Sequence, residues 1–166
     1  MTPRVFLTEI MLPSMAWANR VAQVPYTDAS TRFLLAVAGQ EGAWTHRAQV
    51  LSSGAAGPAR SFWQFEEGGG VKGVLGHSAS KAKALALCAA ASVEPKQADV
   101  WRAIEGHDGL AYGFARLLLL TDPYAVPTEQ QAAWDCYAKR LWRPGKPHPE
   151  TWPSIWDQAG KSMTPR

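Results

Sequence analysis

Glu41 closes the apolar run "LLAVAGQEGAW", and no other acid in the chain is flanked by neighbours like Val37, Ala38 and Trp44. Burial in an apolar or aromatic setting disfavours the charged form of a carboxyl group. Such a group stays protonated to higher pH and can deliver its proton to a leaving group. A glutamate at a helix end can also cap loop amides, and the residues alone leave both roles open. The segment that follows, "GPARSFWQFEEGGG", is rich in glycine and aromatic rings. An aromatic side chain lining a groove makes a flat platform for a sugar ring or a base.

The elements that must position Glu41 follow from periodicity and punctuation. Phe33, Leu34, Val37, Ala38 and Glu41 recur at three- and four-residue steps, which predicts a helix from about Ser30, capped by Asp28 or Ser30 and ended by Gly42. An earlier helix over 5–22 is interrupted by Pro13. Between Ala48 and Gly70 the glycines and Pro58 predict a long loop with at most a short strand at Ser61 to Phe65. A loop of that length in a compact domain is usually functional. "EEGGGVKG" reads as a flexible lid or turn, since the spacing to Lys72 does not make a phosphate loop.

Four helices are expected beyond it. They are "SASKAKALALCAAAS", "EPKQADVWRAI" with Pro95 in its first turn, "HDGLAYGFARLLLLTD" on an Asp cap, and "PTEQQAAWDCYAKRLW" opening with Pro127. A last short helix runs from Pro149 to Gln158 with Trp152 and Trp156 on one face. The expectation is a mainly α single domain over 1–166 of six or seven helices, with a Gly-rich loop or minimal β region after the helix of Glu41. Its parts are the N-terminal helix 5–22, the catalytic helix and groove loop 30–74, and a helical half 78–160.

The bulk numbers agree with one globular domain: 166 residues, 46% hydrophobic and 19% charged. A net charge of +3 and a pI near 9.0 permit acidic polymers as partners without choosing among them. Glu9, Pro13 and Asn19 break any signal-like apolar segment in Met1 to Arg20, and no run approaches the ~20 apolar residues of a membrane span. Cys88 and Cys136 read as two buried free thiols, with a disulfide as the alternative that would need an oxidising compartment and favourable geometry. The four histidines have no ligand spacing among themselves or with the cysteines, so neither a metal nor a cofactor is expected. "YAKRLWRPGKPH" gathers Lys139, Arg140, Arg143, Lys146 and His148 around Trp142. It reads as a solvated helix end, with nucleic acid the less favoured partner.

"GQEGAW" followed by "GPARSFWQFE" resembles the lysozyme-like superfamily, in particular the goose-type lysozymes and soluble lytic transglycosylases of bacteria and phages. There a helix ends on the catalytic glutamate, and a later Gly-Leu-Met-Gln segment brings its Gln to the sugar groove. The likeness covers roughly Thr31 to Val74. It departs at Gly42, where the family has Ser, and at Ser61, Phe62 and Trp63, where it has Gly-Leu-Met.

The resemblance implies a lysozyme-like fold that cleaves peptidoglycan glycan strands with Glu41 as general acid and base. It puts Gln64 on an acetamido or hydroxyl group, Trp63 or Phe62 against a ring face, and Tyr112 and Tyr137 among further groove residues. Glu66 or Glu67 would supply the second carboxylate of a hydrolase. Without one, the substrate's own acetamido group completes a transglycosylase reaction. "GPARSFWQFE", "LLLLTDP" and "LWRPGKP" also resemble small proteins of tailed phages. That implies a phage virion or host-cytoplasm origin with delivery to the cell wall, and other virion proteins as partners. The competing expectation is a non-catalytic virion structural or adaptor protein that retains the fold.

Overall fold

The computed structural model describes residues 1–164. The chain is mainly helical, as expected, with one two-stranded sheet. It begins with a continuous rod: α1 (Pro3–Phe6), a π-helical stretch (Leu7–Met11) and α2 (Leu12–Ala22). Pro13 widens this rod rather than interrupting it. Proline lacks an N–H and its ring crowds the carbonyl four residues back, and the preceding π turn, in which the Leu12 N–H reaches Leu7 O, relieves that conflict.

The helix that carries Glu41 is α3 (Asp28–Gly42), and its cap is Thr27 rather than Asp28 or Ser30. The Thr27 hydroxyl accepts from Ser30 N at 3.2 Å and Ser30 Oγ accepts from Thr27 N at 2.8 Å, a reciprocal box that satisfies two end donors. Phe33 to Ala38 are all fully buried, so α3 runs through the core with helices on several sides. Beyond Gly42 the chain turns sharply through Ala43 and Trp44, both with positive φ. Trp44 folds back to donate Nε1 to Leu35 O at 2.8 Å, and its indole occupies the space a Cβ on Gly39 would need. Gly42 lies against the Phe62 carbonyl, 3.3 Å from where its own Cβ would be.

The strand expected at Ser61 to Phe65 lies earlier. β1 (Ala48–Val50) pairs antiparallel with β2 (Ala56–Arg60). Arg60 and Phe65 then exchange backbone hydrogen bonds of 2.9 and 2.7 Å around a tight turn, with φ of 68° at Ser61 and 50° at Gln64. Left-handed residues cannot continue a ladder, and this is why 61–65 is a turn.

The expected lid is also ordered. Glu67–Val71 forms a second π-helical stretch leading into α4 (Lys72–Gly76). Glycines disfavour helix, but Val71 and Val74 are fully buried, and tertiary burial outweighs propensity here. Gly69 leaves helical geometry, and a Cβ on Gly70 would come within 2.6 Å of the Phe65 ring.

The remaining helices are α5 (Lys81–Ala90), α6 (Gln97–Ala103), α7 (Asp108–Leu120), α8 (Gln130–Trp134), a π-helical stretch (Asp135–Leu141) and α9 (Trp152–Met163). Pro95, Pro127 and Pro149 lie before their helices rather than in the first turns, and His107, not Asp108, caps α7 by accepting from Leu110 N at 3.1 Å. Asp108 is instead held by a two-pronged ion pair with Arg47. Arg60 packs 4.4 Å over the Trp101 ring and pairs with Glu105 at 2.7 Å. These two arginines fasten the sheet to α6 and α7. The core gathers residues from α1 through α9 into one apolar cluster, and Cys88 and Cys136 are buried free thiols within it.

Candidate active site

Glu41, the penultimate residue of α3, opens into a cleft of about 600 Å³. It is lined by Gln49 and Ala59 of the sheet, the turn Gln64 to Glu66, Gly69 and Gly70, by Leu141 to Lys146, and by Leu118 of α7. Clefts of this size that bring a few polar groups together on an apolar lining are the usual form of a small-ligand site.

The Glu41 carboxyl group is pushed up from its ordinary 4.5 to about 7. Burial at the end of a core helix is the largest cause. The hydrogen bond from Tyr137 works in the opposite direction, and the nearby charge of Glu66 raises the value further. A group with a pKa of about 7 is present in both forms near neutrality, so one carboxyl can give up a proton and take one back.

Tyr137 lies in the π-helical stretch after α8 and donates its hydroxyl to Glu41 Oε1 at 2.7 Å. Its ring stacks on Trp152, with 5° between the planes and 5.3 Å between the centroids. Only 2% exposed, Tyr137 holds the acid in place rather than offering a surface to a ligand.

Gln64 lines the cleft as expected. Its amide nitrogen donates to Ser61 O at 2.8 Å, and its carbonyl oxygen has no partner among the described residues. Glu66 lines the cleft, exposed to solvent, whereas Glu67 starts the neighbouring π-helical stretch and stays off the lining. Of these two acids, Glu66 is the one on the cleft.

Three expectations are overturned. Trp63 is fully buried and Phe62 only 2% exposed, so neither is a ring platform. Trp63 donates Nε1 to Leu34 O at 2.9 Å and belongs to the packing of α3, while Phe62 packs edge-on against Phe6. The positive φ at Ser61 turns both rings inward and leaves Gln64 at the cleft. Tyr112 is fully buried on α7 with no hydrogen-bond partner for its hydroxyl among the described residues, and it does not line the cleft.

The cleft also uses residues the sequence reading had placed elsewhere. Trp142 lines it, donates Nε1 to Trp63 O at 2.9 Å and packs edge-on against Phe65. Arg143 and Lys146 line it too. The basic patch thus divides. Lys139 and Arg140 are paired with Asp135 and Asp122, and only the later cations face the cleft. Gln49 is a further unexpected lining residue, with its side-chain oxygen buried and without a hydrogen-bond partner among the described residues. "LWRPGKP" carried a usable signal, an indole between cations in a proline-bounded loop.

Among the described residues no group of three or more His, Cys, Asp or Glu side chains is arranged to hold a metal ion, and no helix is long and apolar enough to cross a membrane. No family model matches the chain, and neither a curated protein nor a solved structure does.

Proposed function

We propose that the protein cleaves the glycan strands of peptidoglycan, with Glu41 as general acid and then general base. The observation that carries this reading is a single carboxyl group tuned to about 7, held by Tyr137 and open to a cleft. Protonated Glu41 donates to the bridging glycosidic oxygen as the carbon–oxygen bond breaks. The oxocarbenium-like carbon is met from its other face by a carboxylate or by the substrate's own acetamido oxygen; the hydroxyl that then displaces that group arrives on the Glu41 side, and the Glu41 carboxylate takes its proton. That hydroxyl is water in a muramidase, with Glu66 as the second carboxylate. In a lytic transglycosylase it is the sugar's own primary hydroxyl, after the acetamido group has stabilised the centre. Gln64 offers its unpartnered carbonyl to an acetamido N–H.

The likeness of "GQEGAW" and "GPARSFWQFE" to lysozyme-like enzymes supports the same reading, and the phage-like wording of the chain supports a phage product acting from the virion or at lysis. The test is clearing of a peptidoglycan layer by the wild type and by Glu41→Gln. Clearing by the wild type alone is expected. Equal clearing removes Glu41 from the chemistry, and no clearing by either points to a virion structural or adaptor protein. Mass spectrometry of the products separates anhydro from reducing ends.

A further inference from the structure

The stretch Trp142 to Lys146 that lines the cleft is a strap, and its two ends are tied to the residues that flank the acid. At its start the backbone N–H groups of Trp142 and Arg143 both donate to Tyr137 O, at 2.9 and 3.3 Å. Tyr137 is the residue whose hydroxyl holds Glu41. At its far end the His148 carbonyl accepts from Gln40 Nε2 at 3.1 Å, and Thr151 donates to Gln40 Oε1 at the same distance. Gln40 immediately precedes Glu41. Between these anchors Pro144 and Pro147 restrict the backbone, and Arg143 is held at a φ of 47°, which few non-glycine residues adopt. A strap fixed in this way presents its side chains at little cost in ordering when a ligand arrives.

Two of those side chains, Arg143 and Lys146, are cations that line the cleft and enter no ion pair among the described residues. The sheet-side lining carries Glu66 and the polar amides of Gln49 and Gln64. The cleft therefore takes its acids and amides from the sheet and the turn after it, and its unpaired cations from the strap. A neutral chain of N-acetylglucosamine supplies nothing for those cations, and covering them with uncharged sugar forfeits hydration without return. A glycan whose alternate sugars bear a lactyl group, ending either in its own free carboxylate or in an amide-linked acidic stem peptide, supplies carboxylates along one edge, and charge-assisted contacts from a guanidinium and an ammonium group answer them.

We infer that Arg143 and Lys146 make the cleft selective for carboxylate-bearing muramyl strands over neutral N-acetylglucosamine polymers. This rests on the glycan-cleaving reading above and names the feature of the substrate that the strap recognises. The neutral backbone lies along the Gln64 and Glu66 side, with its scissile oxygen at Glu41. The carboxylates of the stem peptides, or of the lactyl groups where no peptide is attached, turn toward the strap.

The experiment uses the full chain and two readouts. First, half-saturating concentrations are measured for peptide-bearing glycan strands and for chitohexaose, with the wild type and an Arg143→Ala/Lys146→Ala double variant. Both positions are exposed, and unchanged circular dichroism and Tm confirm folding. The expected result is a rise of about tenfold for the peptide-bearing strands with kcat retained, no comparable rise for chitohexaose, and recovery in the charge-preserving Arg143→Lys/Lys146→Arg pair. An equal rise for both substrates, or none for the muramyl strands, overturns the inference.

Second, binding of the same two ligands is measured in the Glu41→Gln background, where cleavage plays no part. A preference for the muramyl strands that weakens with salt and disappears on removing the two cations supports the inference even if the wild type cleaves nothing, a result that would count against the proposed function alone. Cation-dependent binding of single-stranded DNA without discrimination between the two glycans overturns the inference in favour of a nucleic-acid surface.

Discussion

Tyr137 donates its hydroxyl to Glu41 Oε1 at 2.7 Å across 96 residues of sequence, while its ring lies flat against Trp152. The bond joins the end of α3 to the π-helical stretch after α8, and it sets the proton affinity of the acid as well as its orientation. A donor to a carboxylate stabilises the charged form, so this contact restrains the upward shift that burial imposes. Tyr137→Phe keeps the stacked ring and removes the donor. The Glu41 pKa is then expected to rise above about 7, and the alkaline limb of a pH–rate profile should move up with it. An unmoved limb would mean that Glu41 is not the group that limb reports.

Glu66→Gln is expected to act in the opposite direction. Glu66 raises the Glu41 value through like-charge repulsion, so neutralising it lowers the proton affinity of Glu41 and moves the alkaline limb down. The same variant separates the two chemistries. Loss of nearly all turnover identifies Glu66 as the second carboxylate, and retained turnover with anhydro products identifies the substrate-assisted route. The profile and the product masses are read from one preparation.

Glu41 is also expected to destabilise the fold at neutral and alkaline pH. Its pKa is 4.5 in the unfolded chain and about 7 when folded, so between those values the folded state retains a proton that the unfolded state has released. Stability therefore falls as pH rises through that window, and the loss is complete above about 7. Glu41→Gln removes the titration. At about pH 8 it should be more stable than the wild type by about 3 kcal/mol, the equivalent of the shift, and at about pH 4 the difference should vanish. Urea midpoints at the two pH values check this, and a pH-independent difference would contradict it.

Trp63→Phe distinguishes a packing tryptophan from a sugar platform. The change leaves the Leu34 carbonyl without its 2.9 Å donor and opens space against α3. A cost of about 2–4 kcal/mol is expected, with KM for glycan unchanged in the folded fraction. A raised KM without loss of stability would return Trp63 to the substrate.

Arg116 offers a test of the core itself. It is 4% exposed, and among the described residues neither its Nε and Nη1 nor the Tyr112 hydroxyl one turn earlier on α7 has a hydrogen-bond partner. Burial pushes its guanidinium below the ordinary value. Arg116→Met keeps the aliphatic length and removes an uncompensated charge, so a gain of about 1–3 kcal/mol in denaturant unfolding is expected. A loss of similar size would show that the guanidinium is satisfied by water or a bound anion.

The sequence by itself determined the helical class, the course of α3 and the identity of its terminal acid. These are local properties: a three- and four-residue apolar rhythm, the hydroxyl, carboxyl and glycine residues that bound helices, and an acid set among apolar neighbours. Only the tertiary structure decided which aromatic residues meet the cleft. Phe62 and Trp63 point inward because Ser61 adopts a positive φ and because Leu34 O, distant in sequence, accepts the Trp63 indole N–H. Tyr137 meets Glu41 while Tyr112 does not, although both are buried tyrosines in helical segments, because the Tyr137 hydroxyl reaches the end of α3 from the π-helical stretch after α8 and α7 presents Tyr112 to the core. The glycines at 68–70 read as a loop since helix propensity is intrinsic to each residue, whereas the burial of Val71 and Val74 that overrides it exists only once α5, α6 and α7 are in place. The cleft follows the same rule. Its floor was written in one stretch of sequence, and its strap, Trp142 to Lys146, joined it only through contacts about a hundred residues away.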